Sequence, residues 1–126
     1  MPIKSHWIKY KEKRIYFCDY SNFSDKFELL NEEMSGATEI ICQEPEISVL
    51  ILVDISNSLA NARAFNQVKE YMKRSGKHMR AIAVIGSTKV RNIMIRAVAR
   101  IFNLEIMPFD DPESAKQWLI NKDFSA

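Results

Sequence analysis

Little in this sequence can be cross-linked, hold a metal or cross a bilayer. It has two cysteines, Cys18 and Cys42, far apart and without C-x-x-C spacing. A disulfide framework is not expected, and both read as small core hydrophobes. His6 and His78 have no cysteine or carboxylate at ligand spacing, so no metal site is expected and no cofactor is implied. Neither thiol has a motif partner for nucleophilic catalysis, and no complete catalytic motif stands elsewhere, so the chain does not read as an enzyme. No apolar run reaches the roughly 18 residues of a membrane span. The start, Met1-Pro2-Ile3-Lys4, has no apolar signal core, and the expected location is the cytoplasm. Three glycines and four prolines are scattered, with no linker, repeat or low-complexity stretch. Residues 1–126 therefore read as one domain, long enough to bury a core without staples.

What is present is a rhythm. The short apolar runs Ile15–Tyr20, Val49–Ile55, Ala81–Gly86 and Glu105–Phe109 each precede a stretch of helical period. That alternation predicts an α/β domain with a mixed, mainly parallel sheet and about four helices. Ser5–Tyr10 and Glu12–Tyr20 read as an opening antiparallel hairpin. Ser24 reads as the cap of a first helix carrying Phe27, Leu30, Met34, Ala37, Ile40 and Ile41 on one stripe. Ser48–Asp54 is apolar on both faces and should lie centrally. A second helix is expected over Ala60–Arg74, closed by Gly76 as a left-handed cap. In the third, Val90, Ile93, Met94, Ala97, Val98, Ile101 and Phe102 follow the i, i+3, i+4 rule and read as one inward face. Pro108 places the last strand at an edge. Asp111-Pro112-Glu113 opens the last helix, with Ala115, Trp118 and Leu119 packing it down.

In such folds, binding chemistry gathers at the carboxyl ends of the strands. Those ends read Asp19-Tyr20-Ser21-Asn22, Asp54-Ile55-Ser56-Asn57-Ser58, Gly86-Ser87-Thr88-Lys89 and Phe109-Asp110-Asp111. Asp19 and Asp54 should come close on adjacent strands, capping loops by accepting backbone hydrogen bonds. Gly86, Ser87, Thr88 and Lys89 stand where a strand meets a helix, as a helix cap or a weak anion site. The charge is segregated. Residues 1–18 carry +4, residues 19–54 carry −8, residues 55–100 carry +9 and residues 101–126 carry −3. Such a bipolar surface can steer partners or support a homodimer, unless the two regions pack side by side and compensate. Lys89, Arg96 and Arg100 fall on one side of the third helix, opposite the expected apolar face. No aromatics are interleaved with these bases, and no nucleic-acid partner is expected.

The order hairpin, helix, then three strand–helix units resembles the STAS domain, named for sulfate transporters and anti-sigma-factor antagonists. The stretches Lys13–Asn22, Glu44–Asp54, Ala83–Gly86 and Pro108–Leu119 are similar to its SpoIIAA-like subgroup, also described as STAS/SEC14-like. The resemblance implies helices mainly on one sheet face and a non-catalytic, cytoplasmic regulatory module that binds a protein partner. Its partner-binding surface would be Asp54, Ser56, Asn57, Ser58, Ala60 and Asn61. In the anti-sigma-factor antagonists a serine at the start of the second helix is phosphorylated. The run here is Ser58-Leu59-Ala60-Asn61-Ala62, without the family's glycine, and Ser58 is the candidate phosphorylation site. An Asp at Ser58 or Ala60 is expected to weaken partner capture and leave folding intact. The alternative is a domain that binds a lipid or small anion, in an apolar pocket or at Gly86–Lys89.

Overall fold

The computed structural model describes residues 3–58 and 61–122. Its sheet has five strands in sequential order, β1 (His6–Tyr10), β2 (Lys13–Asp19), β3 (Val49–Asp54), β4 (Met79–Ile85) and β5 (Ile106–Phe109). The β1–β2 hairpin is antiparallel and the other pairings are parallel. Lys11 and Glu12 turn the hairpin with φ of 48° and 70°, two left-handed residues in succession. That geometry matches the twist of the flanking strands but usually selects Asn-Gly, which is why the composition does not announce the turn. β3 is the central strand, and β5, with Pro108, lies at the edge, as the sequence predicts.

Helices α1 (Phe27–Ile41), α2 (Ala62–Ser75) and α3 (Lys89–Phe102) make the three parallel crossovers. A right-twisted sheet favours crossovers of one hand, which stacks successive helices on one face. Tyr16, Cys18, Ile51, Ile82 and Val84 point to that face and meet Ala37, Ile41, Met72 and Val98. The intervening strand residues Ile15, Leu50, Leu52, Ala81, Ala83 and Ile85 point the other way. There they meet Ala115 and Leu119 of α4 (Pro112–Ile120), the one helix among the described residues on the opposite face. Both residues are fully buried, and Ala81 and Ala83 are small enough to let the helix sit close. Asp111 caps α4 by accepting from the Ser114 amide, with Pro112 following.

Three expectations change. Ser24 does not cap α1. It takes a positive φ of 55° and bridges to Ser58, and Lys26 precedes the helix with no side-chain cap. Gly76 is not a left-handed cap. Its φ is −57°, because a 3-10 turn over Gly76–His78 carries α2 directly into β4. The third helix does not bury one apolar face. Val90, Ile93 and Ile101 remain exposed, and only Val98 is fully buried. α3 is the last helix of its layer and has α2 on one side, and among the described residues no element packs on its outer flank.

Gly36 sits inside α1 without breaking it, because Ile3 crosses there. A Cβ at Gly36 would lie 2.7 Å from Ile3 Cγ2. The same segment satisfies the buried Glu33 carboxylate, which accepts from the Lys4 amide at 3.0 Å and from the Ser5 amide and hydroxyl at 2.9 and 2.6 Å. A buried carboxylate needs this many donors to remain folded in.

Candidate functional site

The loops leaving β2 and β3 continue the parallel ladder beyond the strands. The amides of Tyr20, Asn22 and Ser24 donate to the carbonyls of Asp54, Ser56 and Asn57 at 3.0, 2.7 and 2.8 Å. Ile55 donates to Ile85 at 3.0 Å, tying in the end of β4. Asp19 and Asp54 are cross-strand partners. Each turns its carboxylate onto its own loop. Asp54 accepts from the Ser56 amide at 2.9 Å, and Asp19 accepts from the Ser21 amide at 3.2 Å and hydroxyl at 2.5 Å. Burial alone would raise the Asp19 pKa. The Ser21 hydrogen bonds and the Lys4 ammonium, 3.5 Å away, outweigh it and hold the group below its ordinary value. These are side-chain-closed turns, one after each strand.

Ser58 lies under this zipper, 6% exposed. Its hydroxyl donates to the Tyr20 carbonyl at 2.5 Å and accepts from the Phe23 amide at 3.1 Å. Arg91 reaches back from α3 and donates to the carbonyls of Ile55 and Ser58 at 3.0 and 2.6 Å. It therefore fastens the loop instead of joining the basic surface. An aspartate at Ser58 would put an unpaired charge where a hydroxyl now joins two backbone groups, so the expectation that it leaves folding intact does not fit this geometry. Ser56 presses on Gly86, whose φ is +80° and whose added Cβ would lie 2.6 Å from the Ser56 amide nitrogen. Asn57 is exposed, takes a φ of 57° and donates to the Asn22 side chain at 2.9 Å. Asn61, also exposed, caps α2 through the Ala64 amide at 2.9 Å. Ala60 lies outside the described residues.

In the turn after β4, Thr88 caps α3 by accepting from the Arg91 amide at 3.2 Å, and Ser87 bonds Asn92 at 2.6 Å. Lys89 is exposed. Gly86 brings the turn close to Ser56, so the residues of the expected anion site act first as fasteners. His6 and His78 each use a ring nitrogen on a backbone carbonyl, of Lys4 and of Glu44.

Between the zipper, the sheet and helices α1–α3 lies a cavity of about 200 Å³. Its walls include Leu30, Ile51, Phe65, Val68, Val84 and Ile95. The polar groups at its edge are occupied or neutral. Ser58 and Arg91 are bound as above, Ser75 donates to the Tyr71 carbonyl at 3.1 Å, and the Tyr71 hydroxyl bonds Asn31 at 2.8 Å. Burial pushes the Cys18 thiol up to about 12 and raises the Tyr20 phenol as well, so neither is charged near neutrality. An uncharged, apolar molecule suits such walls. Periodicity predicts a filled core and gives no sign of this space. One compositional signal points to it: of six methionines, Met34, Met72, Met79 and Met94 line the cavity. Methionine is the flexible side chain suited to irregular gaps.

The SpoIIAA-like family profile matches residues 19–120. A solved structure similar to this chain is the crystal structure of an uncharacterized protein from the DUF3478 family with a SpoIIAA-like fold, from Shewanella loihica. It is 15% identical, with a TM-score of 0.70, over 91% of each chain. No curated protein matches.

Proposed function

This chain belongs to the SpoIIAA-like family, and from that premise we propose that it is a non-catalytic binding module that holds a small apolar ligand between its sheet and its helices. The observation that carries this reading is the cavity of about 200 Å³ with its apolar walls. An occupant that covers these apolar walls stabilises the folded state by about 25 cal/mol for each Å² it removes from water. The volume exceeds the roughly 150 Å³ of an apolar cavity that takes up benzene. It suits a short acyl chain or a single ring.

The test is thermal unfolding with benzene or 1-octanol as probe. Binding only to the folded state at a hundredfold excess over Kd adds about 2.7 kcal/mol, a rise of several degrees in Tm. Val68→Phe, which fills the space, should raise Tm without probe and abolish the probe's effect. A wild-type Tm indifferent to both probes would refute the reading.

A second reading, a protein-docking regulatory module like the anti-sigma-factor antagonists, draws on the exposed side chains of Asn57 and Asn61 beside the fastened loops. Phosphorylation of Ser58 would first have to release its bonds to Tyr20 and Phe23. Capture of a stoichiometric protein partner by wild type but not by Asn61→Asp would support it, and equal capture would count against it.

A further inference from the structure

The outer flank of α3 has an unusual composition for a solvated helix face. Val90, Ile93 and Ile101 are 74%, 66% and 57% exposed. With Ala97 they fall at spacings of three and four, in one line along the helix. A second apolar line, Ile95, Val98 and Phe102, faces the core. The exposed line is therefore surplus to folding. Lys89, Arg96 and Arg100 run beside it at spacings of seven and four, all exposed. None of the three pairs with a carboxylate among the described residues, and α3 contains no acidic residue. The neighbouring helix α2 carries four basic residues against one acidic, Glu70.

We propose that this flank of α3 docks in the plane of an anionic lipid surface, with Val90, Ile93 and Ile101 in the headgroup–acyl boundary and Lys89, Arg96 and Arg100 against lipid phosphates. An apolar line bordered by long basic side chains is what such a surface selects, because the stems lie along the boundary while the charged ends stay among the headgroups. The exposed line has no amide or hydroxyl side chain with which to pair a polypeptide; Asn92 turns to Ser87. A second copy is a poorer occupant. Of the exposed carboxylates of α1 that could meet these cations, Glu28 and Glu39 are already held by Arg63 at 3.3 Å and Arg74 at 2.7 Å, which leaves Glu32 against three cations. The inference goes beyond ligand binding and does not need it, although docking would bring a cavity wall, Met94, Ile95 and Val98, close to lipid.

The experiment is co-sedimentation of the full chain with vesicles of phosphatidylcholine, without and with phosphatidylglycerol, at low and raised salt. The expected result is binding to the mixed vesicles only, falling as salt screens the attraction. The paired variant Ile93→Gln with Ile101→Gln should weaken binding about tenfold through lost apolar burial. Arg96→Gln with Arg100→Gln should weaken it about thirtyfold. Both pairs change exposed side chains, so far-UV circular dichroism and Tm should stay at wild-type values. Absence of binding to the mixed vesicles at low salt, or binding unchanged in both variants, would overturn the proposal. So would a dimer in sedimentation equilibrium that the isoleucine pair abolishes, since the flank would then belong to a second copy. The benzene-induced rise in Tm, measured on the same variants, should persist, which separates failure of docking from failure of ligand binding.

Discussion

Replacing Ser58 by alanine removes the two hydrogen bonds that close the zipper from beneath. The hydroxyl donates to the Tyr20 carbonyl and accepts from the Phe23 amide, and the side chain is 6% exposed. The methyl that replaces it satisfies neither backbone group. At about 1–1.5 kcal/mol for each lost bond, the expected cost is about 2–3 kcal/mol. For a domain of this length about 4 °C accompanies each kcal/mol, so Tm should fall by about 8–12 °C. Urea unfolding followed by far-UV circular dichroism should show a lower midpoint at an unchanged slope, because native and unfolded surfaces are nearly conserved. Ser58→Asp should cost more than Ser58→Ala, since it buries a charge as well. Lys89→Ala, at an exposed position on the same end of the sheet, should leave Tm within about 2 °C. If Ser58→Ala also stayed within about 2 °C, the hydroxyl would not be holding the loops together and the reasoning would be wrong.

Gly86→Ala should destabilise by more than about 1 kcal/mol, because the residue needs φ of +80° and its Cβ would meet the Ser56 backbone; an unchanged urea midpoint would sink that expectation. The Tyr16 hydroxyl is buried with no hydrogen-bond partner among the described residues, so Tyr16→Phe should be neutral or stabilising by up to about 1 kcal/mol, and a clear loss of Tm would reveal a partner. Cys18 is 2% exposed and burial raises its pKa to about 12, whereas Cys42 is partly exposed. Folded protein treated with iodoacetamide at about pH 8 should therefore label Cys42 first and Cys18 only after denaturant is added, and equal labelling rates would contradict the buried thiol.

Much of the fold is legible before any coordinates. The doubly apolar run before Asp54 announces the central strand, and Pro108 announces the edge. Asp111-Pro112 marks the start of α4 to the residue. Each signal is local, a matter of period or capping chemistry. Ser24 and Gly76 misdirect for the same reason. A serine before a helical run and a glycine after one are caps by local preference. Here a pairing to Ser58 and a direct entry into β4 decide their conformations instead. Of the candidate site, the sequence brings the right loops together, places Asp19 beside Asp54 and has both accept backbone hydrogen bonds from their own loops, but it does not show that Ser58 and Arg91 tie those loops to each other.

By itself the sequence determined the element order, the parallel sheet, the central and edge strands and the segregation of charge, because these follow from periodicity and composition along the chain. The tertiary structure alone decided three things. Ser58 and Arg91 became fasteners, since their partners lie 38 and 36 residues away in the chain. A cavity of about 200 Å³ remained where one methionine from each of α1, α2 and α3 meets the sheet, since volume is a property of packed neighbours. And of the two apolar lines on α3 one is covered and one is not among the described residues, because the helix ends its layer with α2 on one side.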